Sequence, residues 1–192
     1  MRDGHGMTTV NTTGPAPRRH EPQTPGREQG ADAPEQQVWS LLAAVPDPEI
    51  PVLSIVDLGI VRSVRLQADG RMHVAITPTY SGCPATEVIR TLVRAALDAA
   101  GYGDAILEQV LSPPWTSDWL TPAGRDKLRS FGIAPPEGPV ANVRQLWHAA
   151  AVTCPRCGSR MTERVSEFGS TPCKAHYRCN GCREPFDYFK CL

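Results

Sequence analysis

The sequence carries no surplus of charge of either sign: 20 Lys and Arg balance 20 Asp and Glu across 192 residues. A chain without a basic excess has no overall field to draw it to nucleic acid or to an anionic membrane. It lacks any apolar run approaching the roughly 20 residues of a membrane span, and its start lacks the apolar core of a secretory signal. These absences lead us to expect a soluble, cytosolic protein, in which clustered cysteines more often hold metal than form disulfides. One segment is also short of large apolar residues. Residues 1–36 contain only Met1, Met7 and Val10, beside five Gly and five Pro. That is too little apolar surface to offset the entropy of ordering, so a disordered tail is expected there.

What is present falls into two units. From Gln37, "QVWSLLAAV" reads as a short helix that "PDPEIPVLS" breaks with three prolines. "IVRSVRL" and "MHVAIT" read as two strands of a hairpin, joined by "QADGR" with its turn-forming Asp69-Gly70. "PATEVIRTLVRAALDAAGY" reads as an amphipathic helix with two apolar rows, Val88, Leu92 and Ala96 beside Ile89, Val93 and Leu97. "DAILEQVLS" follows as a strand, and "SDWLTPAGRDKLRSFG" as a last helix that Gly132 ends. Strand, helix, strand implies a right-handed crossover with parallel pairing. The expected fold class is therefore α/β (α+β). A small mixed-sheet α-β-β-α-β-α domain spans 37–134, a linker 135–150, and a zinc-ribbon β domain 151–192.

The ribbon is read from its cysteines. Cys154-x-x-Cys157 and Cys179-x-x-Cys182 are two pairs separated by 21 residues. Each two-residue gap lets both sulfurs of a tight turn reach one ion, and two such turns complete a tetrahedral site for Zn2+. A unit this small has too little core to fold alone, so the metal would supply the missing stability, on the order of 10 kcal/mol. Iron suits the same ligands, whereas disulfides conflict with the expected compartment. Cys173 and Cys191 are left over, as extra ligands, a redox pair or small buried residues. His176 could replace a thiolate, but a strand histidine beside Tyr177 is more often simply packed or exposed.

Cys83, in "TPTYSGCPAT", is the one cysteine outside the last forty residues. It directly precedes the helix that Pro84 begins, where unpaired N–H groups and the helix dipole favour a thiolate. Packing, metal handling and covalent catalysis all remain open from the residues alone. Catalysis needs a base within reach, and His73 should lie on the strand face opposite Met72 and Val74.

"VPDPEIPVLSIVDLGIV" followed by "ITPTYSGCPAT" resembles the domain of iron–sulfur assembly factors of the SufT type and their eukaryotic cytosolic relatives. The likeness is carried by Asp47-Pro48-Glu49, by "IVDLG" at 55–59 and by Cys83-Pro84. With "FGSTPCKAHYRCNGCREPFDYFKC" behind it, the arrangement over residues 38–192 is similar to one family of the bacterial phenylacetyl-CoA ring epoxidase system, the one designated D or J. The resemblance implies an accessory part in aerobic phenylacetate catabolism. A di-iron oxygenase component of that system epoxidises the ring, and a reductase with flavin and a [2Fe–2S] cluster supplies electrons. The D-type component would help to mature those metal centres.

On that resemblance Cys83 would be the transfer ligand for an iron–sulfur cluster or iron, alone or shared across a homodimer, with Glu49, Asp57 and Thr79 shaping the site. The ribbon would hold structural zinc and dock the oxygenase and reductase subunits. The chain has no Glu-x-x-His pairs for a di-iron site and no Gly-rich dinucleotide fingerprint, so it is not expected to be catalytic itself. Two other readings stand beside this one. One is a scaffold subunit that carries no metal through Cys83. The other is a zinc-ribbon regulator that binds nucleic acid, which the locally basic ribbon favours but the neutral chain and the missing aromatic-interleaved basic stripe disfavour.

Overall fold

The computed structural model describes residues 33–80, 82–137 and 152–190. The expected tail as far as residue 32, most of the expected linker, Ser81 and Cys191 lie outside the described residues. Helix α1 (Ala33–Leu42) begins four residues before Gln37. Pro34 costs little there, because the first-turn N–H has no helical partner in any case. The helix buries Val38, Trp39 and Leu42, and the Glu35 carboxylate accepts the Leu66 N–H at 2.8 Å. That bond ties α1 to the first strand.

The loop after α1 folds back on itself. Asp47 N–H donates to the Leu53 carbonyl at 2.8 Å, and Ile55 N–H to the Val45 carbonyl at 3.0 Å. Gly59 closes the turn with φ +67°, where a Cβ would meet the Trp119 carbonyl oxygen at 2.6 Å. Only glycine fits both the backbone angle and the space.

Strands β1 (Val61–Leu66) and β2 (Met72–Ile76) form the expected antiparallel hairpin. β3 (Ile106–Gln109) pairs parallel to β2, giving the order β1-β2-β3. Helix α2 (Ala85–Ala99) is the crossover between β2 and β3. Its buried row is Ala85, Ile89, Val93 and Leu97. The second expected row is not covered, with Val88 47% and Leu92 36% exposed. One sheet beneath a helix covers one row of side chains.

Helix α3 (Pro122–Phe131) is capped at its start by the Thr121 hydroxyl and at its end by Gly132 in the left-handed region. The chain then makes a strand that the sequence did not suggest. β4 (Ile133–Ala134) pairs parallel with β7 (Pro185–Phe189), at the edge of the ribbon sheet. With β5 (Thr162–Ser166) and β6 (Lys174–Cys179), the order is β4-β7-β6-β5. The start of the expected linker is packed as well, since Pro135 and Pro136 are buried.

The two sheets are thus joined by more than a tether. Cys173 and Phe189 of the ribbon share one core with Ile76, Ile89 and Trp115 of the first unit. Trp115 and Phe189 meet edge to face, with ring centroids 6.2 Å apart. Both sheets are mixed, each with parallel and antiparallel pairs, the described helices belong to the first unit, and the ribbon is pressed against the N-terminal end of α2.

Candidate metal centres

The first centre lies at the tip of the ribbon. After Cys154 the chain turns so that Gly158 N–H donates to the Cys154 carbonyl at 2.9 Å, with Gly158 at φ +74°. After Cys179 the same kind of turn places Arg183 at φ +66°. Gly158 and Arg183 each directly follow the second cysteine of their pair. The sulfurs of Cys154 and Cys182 are 3.8 Å apart, and those of Cys157 and Cys179 3.6 Å. All four lie within 4.8 Å of one another. Four sulfurs at about 2.3 Å from a tetrahedral zinc ion are ~3.8 Å apart, so the donor set fits a structural metal ion.

Electrostatics agree with that fit. N–H groups of Cys182 and Gly181, with the Cys157 thiol, lower Cys179 to about 6. The N–H of Glu184 favours a Cys182 thiolate, yet burial and the sulfurs of Cys157, Cys179 and Cys154 push it up to about 12. The neighbouring sulfurs compete for protons, and a cation held among them removes that competition. His176 takes no part, since its Nδ1 lies 3.3 Å from an Asp187 carboxylate oxygen on the sheet.

The second centre is an open cleft at the N-terminal end of α2. Asp47, Glu49, Thr79, Cys83 and Cys173 line it, together with apolar side chains including Ile76, Ile89 and Phe189. Its atom-free space is about 470 Å³, counted out to the mouth. The Asp47 carboxylate accepts the N–H groups of Glu49 and Ile50 at 2.9 and 2.7 Å, which fixes the proline-rich turn and with it the position of Glu49. The thiol of Cys173 points at Glu49, Sγ to Oε2 3.8 Å, and also touches the Thr171 hydroxyl at 3.0 Å.

Burial pushes the Glu49 carboxyl up, and the neighbouring Asp47 adds to this. Burial likewise pushes the Cys173 thiol up, with Glu49 a further cause. The buried ammonium of Lys174 opposes both shifts. The Tyr80 hydroxyl is pushed up to about 12, by burial first and then by Cys83, Glu49 and Cys173. Its oxygen is buried with no hydrogen-bond partner among the described residues.

The residues anticipated at this site separate. Cys83, Glu49 and Thr79 share the cleft, whereas Asp57 does not reach it. The Asp57 carboxylate accepts from the Ser54 N–H and hydroxyl, each at 2.9 Å, and from Lys127 Nζ at 2.6 Å. Its backbone carbonyl accepts the Thr121 N–H at 2.9 Å. Asp57 is a clasp between the loop before β1 and the start of α3. Cys173, for which the sequence left an extra ligand, a redox pair or a small buried residue open, is buried and lines the cleft. His73 pairs with Glu108 at 3.0 Å across β2 and β3 and does not line the cleft. Reasoning from the sequence missed Asp47 as the residue that orients Glu49, although the Asp-Pro-Glu spacing is that of a side chain capping its own turn.

Two family models match the chain. One is described as an iron-sulfur cluster assembly protein and matches residues 35–105; the other, the PaaD zinc beta ribbon domain, matches residues 139–190. The chain is 50% identical over 162 residues to the Escherichia coli (strain K12) protein named as the D component of 1,2-phenylacetyl-CoA epoxidase, covering 83% of this chain and 96% of that one. It is 38% identical over 91 residues to the Bacillus subtilis (strain 168) Fe-S protein maturation auxiliary factor YitW, covering 47% of this chain and 88% of the relative. A Porphyromonas gingivalis Fe-S protein maturation auxiliary factor is 33% identical over 88 residues, 45% of this chain and 83% of the relative. No helix among the described residues is long and apolar enough to cross a membrane. At 50% identity over nearly the whole of that Escherichia coli relative, the chain belongs to the D-component family of phenylacetyl-CoA epoxidase.

Proposed function

We propose that the chain is a non-catalytic accessory subunit of a phenylacetyl-CoA epoxidase system. It passes iron or an iron–sulfur cluster to the oxygenase or reductase subunits of that system, and a zinc ion in the ribbon serves structure only. The observation that supports this reading most is the meeting of Cys83, Glu49 and Thr79 in one open cleft. That cleft is built largely from the stretch that matches iron–sulfur assembly proteins.

The chemistry asked of the chain is ligand exchange. Cys83 gives up its thiol proton as its sulfur binds the cargo. When a client thiolate displaces it, Cys83 takes a proton back. Glu49, held by the turn that Asp47 caps, offers an oxygen ligand or receives the proton. The Thr79 hydroxyl can hydrogen-bond a bound sulfur. None of these steps needs a redox change in the chain.

Producing the oxygenase and reductase with the Cys83→Ser chain tests the reading. The clients should lose iron or cluster, while the variant keeps its fold and its ribbon metal. Clients with full metal content would instead support a scaffold role.

A further inference from the structure

The ribbon has six cysteines in the sequence, and its metal site uses four. Cys173 is buried and directly precedes β6, whose far end carries Cys179 of the four-sulfur site. It belongs to the core of the first unit, its thiol lies 3.8 Å from Glu49, and it shares a cleft with Cys83. A residue that served only packing would not have to point at a carboxylate in a cleft that a second thiol also lines. The Cys173 thiol is buried and Glu49 only half-buried, so the pair opens onto the cleft instead of being closed off by apolar packing.

We propose that Cys83 and Cys173, with Glu49, form a single cation-binding site that spans the two units: the assembly-type unit supplies one sulfur and the carboxylate, and the ribbon supplies the second sulfur. The proposal deepens the reading of the cleft as a transfer site and rests on it. Two thiolates and a carboxylate suit ferrous iron, zinc or cobalt. The three donor atoms do not all lie within 4.8 Å of one another, unlike the four at the ribbon tip. A bound cation therefore draws them together by side-chain rotation, and binding releases both thiol protons. Lys174, with its side chain 6% exposed beside Cys173 and 3.8 Å from Asp187, is the cation that balances the cleft's carboxylates before metal arrives.

This makes the ribbon more than a stapled tail. By docking through β4 and Phe189 it places a ligand against the first unit. Loss of the ribbon's own metal would then also dismantle the transfer site.

Cobalt(II) titration of the full chain, with zinc already in the four-cysteine site, tests the proposal. The wild type should take up one further cobalt with thiolate-to-cobalt absorption in the near ultraviolet. Cys83→Ser and Cys173→Ser should each remove about half of that absorption, since each deletes one of two metal–sulfur bonds. Glu49→Gln should keep the absorption and weaken binding about tenfold. Cys173→Ala, with ribbon zinc and far-ultraviolet dichroism as controls for folding, should match Cys173→Ser. Wild-type affinity and absorption in both Cys173 variants would overturn the shared site, while leaving Cys83 as a transfer ligand. Full client metal with Cys83→Ser would overturn transfer, even if the two-sulfur cobalt spectrum is present.

Discussion

The molecule holds sulfur in two places, and the two differ in how far they are finished before metal arrives. At the ribbon tip four sulfurs already stand at the spacing of a tetrahedral site, carried by two turns of the same design. In the cleft two sulfurs and a carboxylate come from three separate parts of the chain, and of these Cys173 and Glu49 are in contact. A closed donor set holds an ion and folds a domain around it. An open set with burial-raised proton affinities, as at Cys173 and Glu49, binds less firmly and can release. On the proposed reading, permanence and transfer are separated within one chain by preorganisation.

The largest effect should follow from breaking the closed site. Cys182→Ser should lose the ribbon metal, whose contribution is on the order of 10 kcal/mol, and should unfold residues 152–190. Because Cys173 and Phe189 sit in the core of the first unit, amide exchange should rise around β2 and α2 as well. Exchange confined to the ribbon would show two independent units.

Next in size is the turn between Leu58 and Ile60, two residues that line the open site. Gly59→Ala should cost about 3 kcal/mol, by combining a left-handed alanine with a clash against the Trp119 backbone. Urea unfolding measures it, and ribbon metal content should not change.

Asp57→Asn separates support from site. It should cost roughly 2 kcal/mol through lost charge-assisted hydrogen bonds, while cobalt binding in the cleft is unaffected. Burial pushes the Asp57 carboxyl up, but hydrogen bonds from Lys127 and Ser54 outweigh this and hold it below its ordinary value. Its folded-state pKa is therefore depressed. The stability it contributes is present above the unfolded value, near 3.8, and is lost as pH falls through the lower folded value. The wild type's advantage over Asp57→Asn should be constant at neutral pH and vanish in acid.

The smallest change compares the two turns at the ribbon tip. Gly158→Ala should cost about 1 kcal/mol, since a side chain there is strained only by its backbone angle. Arg183→Gly should be neutral or stabilising by up to about 1 kcal/mol, because it relieves the same strain at the matching position. Thermal melting of the metal-loaded protein reads both.

The closed site was legible in the sequence because its geometry is local: two-residue gaps within tight turns need no knowledge of the rest of the fold. The hairpin and α2 were legible for the same reason, through alternation and four-residue spacing. The open site was only half legible. Cys83, Glu49 and Thr79 could be brought together from the resemblance, but Cys173 reaches Glu49 across 124 positions, a contact set by how the ribbon docks. The docking depends on β4, two residues long, which carries no periodic signal of its own. The placement of Asp57 outside the cleft was not legible because its partner Lys127 lies 70 positions away, and a carboxylate beside a glycine turn looks the same whether it serves a site or a clasp.

The contrast between a finished and an unfinished site is tested most directly by a chelator challenge. Wild-type protein carrying cobalt in both centres is mixed with excess EDTA, and the cobalt signal that Cys83→Ser lacks is followed separately from the four-cysteine signal. The cleft's cobalt should leave first, with the ribbon metal and the fold retained. Loss of both together, or earlier loss from the four cysteines, would contradict the account.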